Sequence, residues 1–353
     1  MPSFKAYVRI SDNRYRENYG LSYDQFTIGQ KFKHRPGITI SQQDNKDEAL
    51  DTINNAQLHY DEHYAEQTEW KHCLGVSTLT LQKLMGATWK TFGRKYRVLT
   101  FDDIAMTHPV FGGDTLYAES EITGKSEYPS DPNLGIIHVV TAGVNQTGTM
   151  VAKIQYQLLV YKNGKHPLDH GLPTHAFDLT EEKFNSHRRL EDGSLMEEVG
   201  IYYEDLTVNE TYEHFPAKTF SEDESRLHSL RSLEWNPLYA DSQYIKNYYG
   251  GKSIINESYL VGAITALTTR TFGRVVANLQ WKNIQLPLLV YAGDTIHCES
   301  TILLKRESNS RPTEGIMEAT TKAFNQKNQL VCSYERHFLI YKKGLGPYKA
   351  AGY

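Results

Sequence analysis

Residues 258–271 read SYLVGAITALTTRT, an apolar run without proline or acidic side chains. This pattern predicts a central helix that is buried nearly all round, and its small residues would let neighbouring backbone approach closely: Gly262, Ala263 and Ala266. A similar apolar run lies 180 residues earlier, from Ser77 to about Thr91. Each run is followed by a glycine, Gly93 or Gly273, which is well placed as a C-terminal cap. The chain therefore carries two central helices of the same kind.

The offset of 180 residues relates the two halves of the chain without a gap. Matching segments include Phe26–Gly29 with Leu206–Asn209, Thr91–Arg94 with Thr271–Arg274, Gly113–Leu116 with Gly293–Ile296, and Val160–Lys162 with Ile340–Lys342. This offset holds from residue 26 to residue 347 and is far too long for a solenoid repeat. The repeated unit is therefore a whole domain, duplicated in tandem.

These limits predict a first domain over residues 20–167 and a second over residues 200–347. An N-terminal extension, residues 1–19, precedes them, and a short tail, residues 348–353, follows. Residues 168–199 between the domains are polar and rich in charge, with Gly and Pro near the start, which is typical of a connector. A short helix within this connector is expected over residues 179–189.

Strand-like runs surround each central helix. ITIS and KTFS precede the two helices, and in the first half VLTFDDIAM, DTLYAESEI, GIIHVVTAGVNQ and VAKIQYQLLVYKN follow, with turn residues between them. Alternating patterns of this kind predict antiparallel strands. One helix with a sheet wrapped around it is an α+β arrangement. We expect the two central helices, one in each domain, to pack side by side.

Composition limits the classes of function. With 39% hydrophobic and 23% charged residues, the 353-residue chain is typical of a soluble globular protein. Its net charge of −4 gives no general attraction to nucleic acid or to an anionic membrane. The N-terminal stretch lacks the apolar core of a secretory signal, and the cysteines number only three. We expect a cytoplasmic protein without a disulfide framework.

Two segments of the first half carry a likeness to a known family. They are PVFGGDTLYAE, residues 109–119, and LHYD, residues 58–61. Together with the predicted helix and sheet, they resemble the MaoC-like dehydratases, a superfamily that includes R-specific enoyl-CoA hydratases. The tandem arrangement resembles that of the mesaconyl-CoA hydratases (β-methylmalyl-CoA dehydratases). The resemblance implies a double hot-dog fold and a hydro-lyase acting on a short 2,3-enoyl-CoA, with mesaconyl-CoA or another branched or dicarboxylic C4–C5 thioester as the expected substrate.

The site motif of the hydratases in this superfamily is Asp-x-Asn-Pro-x-His, and neither half of this chain carries it in full. In the first half, Asn54 stands at the Asp position and His59 at the His position. In the second half, Glu234 stands at the Asp position, Asn236 matches the motif, and Tyr239 replaces the His. The first half is favoured as the active one because it alone keeps an imidazole, and the second is expected to be a degenerate site.

Hydration of an enoyl thioester needs a base for water, a proton for carbon 2 and stabilisation of charge on the thioester oxygen. His59 suits the first task near neutral pH, and Asn54 would hold the water. Free backbone N–H groups at the start of the central helix would stabilise the oxyanion. The expected donors are those of Gly75, Val76 and Ser77. At the matching place in the second half, Glu257 would compete with an oxyanion.

For several candidate residues a structural role is the alternative to a functional one. His59 alone could be a hydrogen-bonded structural histidine, and Asn54 a surface residue. Asp114 and Asp294 recur in Gly-Asp-Thr, where turn chemistry is favoured over catalysis. A nucleophilic Cys73, next to His72, lacks an evident third partner. Candidates for a CoA phosphate, with surface solvation as the favoured alternative, are Arg94 and Arg274.

Three functions remain open. The leading one is the hydro-lyase, which needs no cofactor because CoA is part of its substrate. A hot-dog thioesterase would depend on a carboxylate near the central helix, for which Glu257 is the candidate. A non-catalytic acyl-CoA-binding protein would have two decayed sites. No metal site is expected, because the histidines are scattered and Cys-x-x-Cys is absent. Two fused units mimic a dimer, and further association into a homo-oligomer is compatible with the sequence.

Overall fold

The computed structural model describes residues 4–174, 176 and 178–353. In the first half the elements are β1 (Tyr7–Ser11), β2 (Arg14–Glu17), β3 (Lys31–Thr39), α1 (Gln42–Asp51), α2 (Glu62–Glu66), α3 (Ser77–Ala87), α4 (Trp89–Phe92), β4 (Lys95–Met106), β5 (Thr115–Glu127), β6 (Leu134–Asn145) and β7 (Met150–Tyr161). In the second half they are β8 (His187–Arg189), β9 (Leu195–Glu197), β10 (Thr211–Thr219), α5 (Glu222–Arg231), α6 (Pro237–Ala240), α7 (Ser242–Tyr248), α8 (Glu257–Leu267), β11 (Val275–Gln285), β12 (Thr295–Glu307), β13 (Glu314–Phe324) and β14 (Leu330–Tyr341).

Each repeat forms an antiparallel sheet against its own central helix. The first sheet contains the order β3-β5-β6-β7-β4, and the second contains the equivalent order β10-β12-β13-β14-β11. Helix α3 packs on β3 and β5, and α8 packs in the same way on β10 and β12. The predicted α+β double hot-dog architecture is therefore confirmed.

The two central helices do not pack side by side, so that prediction was wrong. Leu79 and Leu84 of α3 belong to the core of the first sheet, whereas Leu260 and Ile264 of α8 belong to a separate core. Neither helix is buried all round. One stripe of α8 faces solvent, and it consists of Ser258, Gly262 and Ala266. Burial is therefore restricted to the face that each helix turns towards its own sheet.

The central helices are also shorter than predicted. Helix α3 ends at Ala87 and is followed by the short helix α4, while α8 ends at Leu267 and continues as a 3-10 turn over Thr268–Arg270. Gly93 does not provide a left-handed cap, because its φ is −64°. A Cβ at this position would lie 2.7 Å from the carbonyl oxygen of Trp89 and 2.7 Å from the Tyr19 ring. Close packing is therefore what requires this glycine.

The N-terminal extension and the predicted connector both contribute strands. The β1–β2 hairpin joins the sheet of the second repeat, where β2 runs parallel to β10. The β8–β9 hairpin joins the sheet of the first repeat, where β9 runs parallel to β3. Strands β8 and β9 stand at the positions of β1 and β2 under the 180-residue offset. The two repeats therefore exchange their first hairpins. The duplicated region also begins before residue 26, because it includes these hairpins. The helix expected at residues 179–189 is a 3-10 turn, Glu182–Phe184, followed by β8.

A buried hydrogen-bond cluster fixes each exchanged hairpin. Glu197 of β9 binds Nδ1 of His34 at 3.0 Å and accepts a hydrogen bond from the Thr91 hydroxyl at 2.6 Å. The cluster formed by Glu17 of β2 is equivalent and has similar distances, 3.0 Å to His214 and 2.7 Å to the Thr271 hydroxyl. Both carboxylates are buried, so loss of either partner would leave an unpaired charge in the core. These clusters tie the two repeats together.

Candidate active site

His59 ends a single 3-10 turn, Gln57–His59, between α1 and α2. Its Nδ1 lies 2.8 Å from the carbonyl oxygen of Leu74. A carbonyl can only accept, so Nδ1 carries a proton, and in this tautomer the lone pair of the ring is on Nε2. Leu74 lies three residues before α3, and the structure therefore brings His59 to the start of the central helix, as the catalytic role requires.

Asn45, on α1, joins these two segments. Its side-chain nitrogen donates to the carbonyl oxygens of His59 and Leu74, both at 3.0 Å, and its oxygen accepts from the Val76 N–H at 2.7 Å. The side chain is fully buried and all of these polar atoms are satisfied. Sequence reasoning missed this residue. The one available signal was an asparagine in the interior of an otherwise amphipathic helix, where its propensity is poor.

The donors at the start of α3 differ from those predicted. The Gly75 N–H already donates to the Val110 carbonyl at 2.7 Å, and the Val76 N–H donates to Asn45. Gly75 and Val76 are therefore wrong as oxyanion donors. Gly75 instead allows its backbone to lie close to that of Val110, because a Cβ at this position would be only 2.7 Å from the Val110 oxygen.

Ser77 is the one predicted donor that stays available. Among the described residues, the N–H groups of Ser77, Thr78 and Leu79 have no acceptor, since Val76 provides no side-chain cap. These are the first donors of an 11-residue helix, where the dipole favours negative charge. The carboxylate of Glu48 lies beside the same turn, 3.3 Å from the Thr78 hydroxyl and 2.8 Å from the Gln82 amide nitrogen. Sequence reasoning did not single out Glu48.

Asn54 lies in the loop that leads to His59. Its side-chain oxygen accepts from the Ala56 N–H at 3.0 Å, and its own N–H donates to the Ala49 carbonyl at 2.7 Å. The oxygen is therefore occupied in a local turn. The amide nitrogen makes no hydrogen bond to any described residue and is free to meet a water molecule. That Asn54 binds the reacting water stays a prediction.

The second repeat fills the equivalent place with its own side chains. The Tyr239 hydroxyl donates to the carboxylate of Glu257, and burial together with this bond raises the Tyr239 pKa. Asn256 caps α8 by accepting from the Tyr259 N–H at 3.1 Å. The start of α8 therefore already carries both a cap and a carboxylate, which oppose the binding of an oxyanion.

The two remaining residues of this second site make local contacts. Glu234 accepts from the Asn236 N–H at 3.4 Å. Asn236 itself caps α6 by accepting from the Leu238 N–H at 3.0 Å. Both contacts bridge only two residues along the chain, so they shape the loop rather than a shared site.

Two of the alternative candidates have structural roles. Asp114 accepts from the Phe111 N–H at 2.9 Å and Asp294 from the Tyr291 N–H at 2.9 Å, which is the turn chemistry expected. Burial, with a smaller contribution from Glu62, raises the pKa of the Cys73 thiol to about 11, so it is protonated and poorly nucleophilic near neutral pH.

Arg94 and Arg274 are buried, so the prediction of surface solvation was wrong. Arg94 pairs with Asp169 at 2.7 Å, and Arg274 pairs with Glu198 at 2.6 Å. Their charges are thus compensated within the protein. Across residues 4–174, 176 and 178–353 no three potential ligands cluster around a metal position. Nor does this described part contain a helix with the length and apolarity required to cross a membrane.

Curated relatives share part of the chain. A β-methylmalyl-CoA dehydratase of Chloroflexus aurantiacus is 23% identical over 131 residues, which are 35% of this chain and 37% of the relative. A mesaconyl-CoA hydratase of Cereibacter sphaeroides is 25% identical over 145 residues, 41% of this chain and 42% of the relative. The alignments thus span about two fifths of each relative.

Solved structures match over more of the chain. A MaoC-domain dehydratase from Chloroflexus aurantiacus has 18% identity and a TM-score of 0.40, covering 92% of this chain and 98% of its own. A Mycobacterium tuberculosis protein described as a double hotdog has 15% identity and a TM-score of 0.37, covering 91% and 99%. The mesaconyl-CoA hydratase family itself matches twice, over residues 3–170 and 178–348. Because these two matches cover nearly the whole chain, the protein belongs to the mesaconyl-CoA hydratase family.

Proposed function

We propose that the protein is a hydro-lyase that adds water to a 2,3-enoyl-CoA, or removes it from the 3-hydroxyacyl-CoA, with His59 as the proton-transferring residue. The observation that carries this proposal is the hydrogen bond from His59 Nδ1 to the Leu74 carbonyl. This bond fixes the tautomer and leaves Nε2 as a base beside the start of α3. Membership of the mesaconyl-CoA hydratase family supports the reaction class.

In the proposed mechanism, water is divided across the double bond. His59 Nε2 takes one proton of the water as the water oxygen bonds to carbon 3, and the same ring then gives that proton to carbon 2, so the second water proton stays on the new hydroxyl group. The developing charge on the thioester oxygen is stabilised by the free N–H groups of the first turn of α3, Ser77 to Leu79. The Asn54 amide nitrogen holds the water by donating to it. No cofactor enters this sequence of steps, because CoA is part of the substrate.

For the acyl group we propose a branched or dicarboxylic C4–C5 unit, with mesaconyl-CoA as the first candidate. Two relatives bear names that contain this class of substrate, mesaconyl-CoA hydratase and β-methylmalyl-CoA dehydratase. The cytoplasm is the proposed compartment, since free CoA thioesters of this size are used by soluble enzymes and the cysteines are free thiols.

The test is incubation with mesaconyl-CoA and with crotonyl-CoA, followed by enoyl absorbance, a thiol reagent and mass spectrometry. We expect loss of enoyl absorbance, a gain of one water in mass and no free thiol. Release of CoA thiol would instead identify a thioesterase, for which Glu48 beside the first turn of α3 is the better placed carboxylate. Binding without turnover across the panel would identify an acyl-CoA-binding protein and contradict the proposal.

A further inference from the structure

A cavity of about 290 Å³ lies where the two repeats meet, and it is called the junction cavity below. Both repeats contribute equivalent segments to its wall. Under the 180-residue offset these segments match in pairs: Lys5–Tyr7 with Asn185–His187, Asn18–Leu21 with Glu198–Ile201, and Lys90 with Arg270. Because equivalent residues of both repeats surround one space, the junction cavity lies about the pseudo-two-fold axis that relates the repeats.

Positive side chains dominate the charge of the junction cavity. Within the described part of the chain, its lining contains one carboxylate, Glu198, and four cationic residues: Lys5, Lys90, Lys183 and Arg270. Glu198 is already paired with Arg274 at 2.6 Å, and Lys183 is neutralised by Glu210 at 2.5 Å. The other three cations leave the cavity with an excess of positive charge, which attracts anions.

Lys90 is the half-buried cation that the first repeat contributes. Its Nζ donates to the Arg35 carbonyl oxygen at 2.7 Å, and no carboxylate oxygen of the described residues lies within 4.0 Å of it. Burial, the largest effect, lowers the pKa of Lys90; attraction to Glu197 opposes this effect and repulsion from Arg270 adds to it. Since the carbonyl uses one of three ammonium N–H groups, two are left for a ligand.

Arg270 is held in the same way by the second repeat. Its Nη1 donates at 3.2 Å to the carbonyl of Phe215, which is the equivalent of Arg35 under the 180-residue offset. Its Nη2 donates to the Asn18 carbonyl at 2.8 Å. Each of these nitrogens has a second N–H group, so the guanidinium also keeps two donors for a ligand.

The carboxylates that attract these two cations are already bound by other groups. Glu197 attracts Lys90, and Glu17 lies 3.9 Å from Nε of Arg270. Both belong to the buried hydrogen-bond clusters of the hairpins, and each also accepts a backbone N–H, from Arg35 for Glu197 and from Phe215 for Glu17. Neither carboxylate lines the junction cavity. Positive charge that is withdrawn from water is costly unless it is neutralised, so an anion in the cavity would be stabilising.

A larger cleft of about 840 Å³ adjoins the junction cavity. The two spaces share part of their walls, namely Lys183, Asn185, His187, Glu198, Gly200 and Ile201. The junction cavity is close to the lower size limit of small-molecule sites, which is roughly 300 Å³. It therefore suits a small, compact ion that enters through the cleft. Neither His59 nor Ser77 lines either space, so this site is separate from the candidate active site.

We propose that the junction cavity binds a phosphate-type oxyanion between Lys90 and Arg270. Phosphate has several acceptor oxygens, so it can accept from the ammonium group of one repeat and from the guanidinium group of the other at the same time. Chloride lacks separate oxygens and would neutralise only one charge. The bound oxyanion links the two repeats in addition to the exchanged hairpins, and it stabilises the folded chain because the unfolded chain has no such site.

The first test is calorimetric titration of the full chain with inorganic phosphate and with pyrophosphate. Sodium chloride keeps the ionic strength constant, and the buffer contains no other multivalent anion. The wild-type protein should bind one ion per chain, and its unfolding temperature should rise with phosphate but not with chloride at equal ionic strength. Absence of saturable binding for both phosphate and pyrophosphate would overturn the proposal.

Variants of the two cations test where the ion binds. Lys90→Met removes the charge from an unbranched side chain and should weaken phosphate binding by about tenfold or more, whereas Lys90→Arg should retain it within a few-fold. Arg270→Gln tests the second repeat in the same way and should also weaken binding, so the result does not depend on the folding of one variant. Unchanged binding in folded Lys90→Met or Arg270→Gln would contradict the proposal.

Lys95→Met is the matched control for the loss of a lysine. Lys95 is also half-buried, its pKa is also lowered by burial, and no described carboxylate lies within 4.0 Å of it. It lines neither the junction cavity nor the cleft. Lys95→Met should therefore bind phosphate as the wild type does. An equal loss in Lys95→Met and Lys90→Met would show a general effect of charge and overturn the site.

Glycerol 3-phosphate distinguishes a free ion from the phosphate group of an organic molecule. If the site takes an organic phosphate, glycerol 3-phosphate should bind more tightly than inorganic phosphate, because its glycerol part can reach into the cleft. If the site takes the free ion, the order should be reversed. Both orders support the oxyanion site when Lys90→Met weakens binding. Binding of every phosphate probe that is independent of Lys90 and Arg270 would place the ion elsewhere and contradict the proposal.

Discussion

His59 and Asn45 share one acceptor, the carbonyl oxygen of Leu74. The imidazole donates to it at 2.8 Å and the Asn45 amide at 3.0 Å. Because this oxygen precedes α3 by three residues, the imidazole of His59 and the start of the helix are held together. The position of the proposed base therefore depends on Asn45, a residue outside the sequence motif, and replacing either side chain should cause a different defect.

Replacement of His59 tests the base directly. His59→Ala should lower the hydration rate by roughly a hundredfold to ten-thousandfold, the usual range for positioned acid–base catalysis. His59→Asn keeps a hydrogen-bonding group of similar volume and should be nearly as inactive, since an amide does not exchange a proton. The measurement is the steady-state hydration rate of each variant on a confirmed substrate, and circular dichroism checks that each variant is folded. A folded His59→Ala with activity close to that of the wild type would exclude this role.

Replacement of Asn45 tests positioning. Asn45→Ala leaves the Val76 N–H and the His59 carbonyl without a partner, and leaves the Leu74 carbonyl with His59 alone, so it should lower the free energy of unfolding by about 1–3 kcal/mol. It should also lower kcat more than it changes KM, because the His59 loop loosens while most of the CoA surface is untouched. Ser225→Ala, at the equivalent position of the second repeat, is the control: its hydroxyl accepts from the Asn256 N–H at 3.1 Å. It should lose stability and keep kcat. Equal losses of kcat in both variants would show a purely structural effect.

At the scale of elements, the starts of the two central helices differ, and this difference is the basis for proposing the first repeat as the active one. The first turn of α3 has free N–H groups, whereas that of α8 is capped by Asn256 and faces Glu257. Sequence matching at the 180-residue offset found Glu257 and the missing histidine, so it favoured the first repeat. It placed the free donors two residues too early, because Val110 and Asn45, which the tertiary fold brings to this place, accept the hydrogen bonds of the Gly75 and Val76 N–H groups.

The second repeat should be dispensable for chemistry. Glu234→Gln keeps shape and hydrogen bonding while it removes a charge, and turnover should stay within a few-fold of the wild type. The measurement is kcat/KM on the same enoyl-CoA substrate. A fall greater than about a hundredfold, or about 2.7 kcal/mol of barrier, would mean that the second repeat carries the active site.

Two glycines of the first repeat should respond in opposite directions. Gly86 lies inside α3 with open space where a Cβ would stand, so Gly86→Ala should stabilise the protein by about 0.5–1 kcal/mol. Gly93→Ala should destabilise it, because the new Cβ would meet the Trp89 carbonyl oxygen at 2.7 Å. Chemical unfolding of the two variants provides the comparison. A stabilising Gly93→Ala would contradict the close packing of α4 against Tyr19.

At the scale of the molecule, the sequence predicts the duplication and the helix and sheet of each unit, but not how the units are joined. The long strands and apolar helices have clear periodic patterns. By contrast, β8 and β9 have three residues each, too few for an alternating pattern, and lie in a charged stretch that has the composition of a connector. The hairpins are held by buried polar groups such as Glu17 and Glu197, which sequence alone classes as surface residues.

The exchanged hairpins also make the union of the two repeats sensitive to acid. Burial, the largest effect, lowers the pKa of His187 to about 4. Burial alone would raise the pKa of Glu197, but the attraction and hydrogen bond to His34, with smaller attractions to Lys90 and His187, together outweigh burial and hold that pKa at about 2. In the unfolded chain these groups have ordinary values of 6.5 and 4.5, so the unfolded state binds more protons in acid. Stability should therefore be complete above pH 6.5 and fall progressively as the pH drops towards 4 and below.

A matched variant can test this loss of stability in acid, because β1 has a different residue at the position equivalent to His187 of β8. Tyr7 stands where His187 stands under the 180-residue offset, and its hydroxyl meets Thr271 at 3.1 Å just as His187 Nε2 meets Thr91 at 3.0 Å. His187→Tyr keeps an aromatic ring with a hydrogen-bonding tip and removes the group that titrates between pH 6.5 and 4. The free energy of unfolding, measured in urea at several pH values, should decline less over this interval in His187→Tyr than in the wild type. Below pH 4 both proteins should decline together, because the Glu197 carboxyl is then protonated in the unfolded chain, whose ordinary value is 4.5, whereas in the folded protein it takes up a proton only near pH 2. Parallel curves over the whole range would show that the buried histidine does not set the acid stability of the junction.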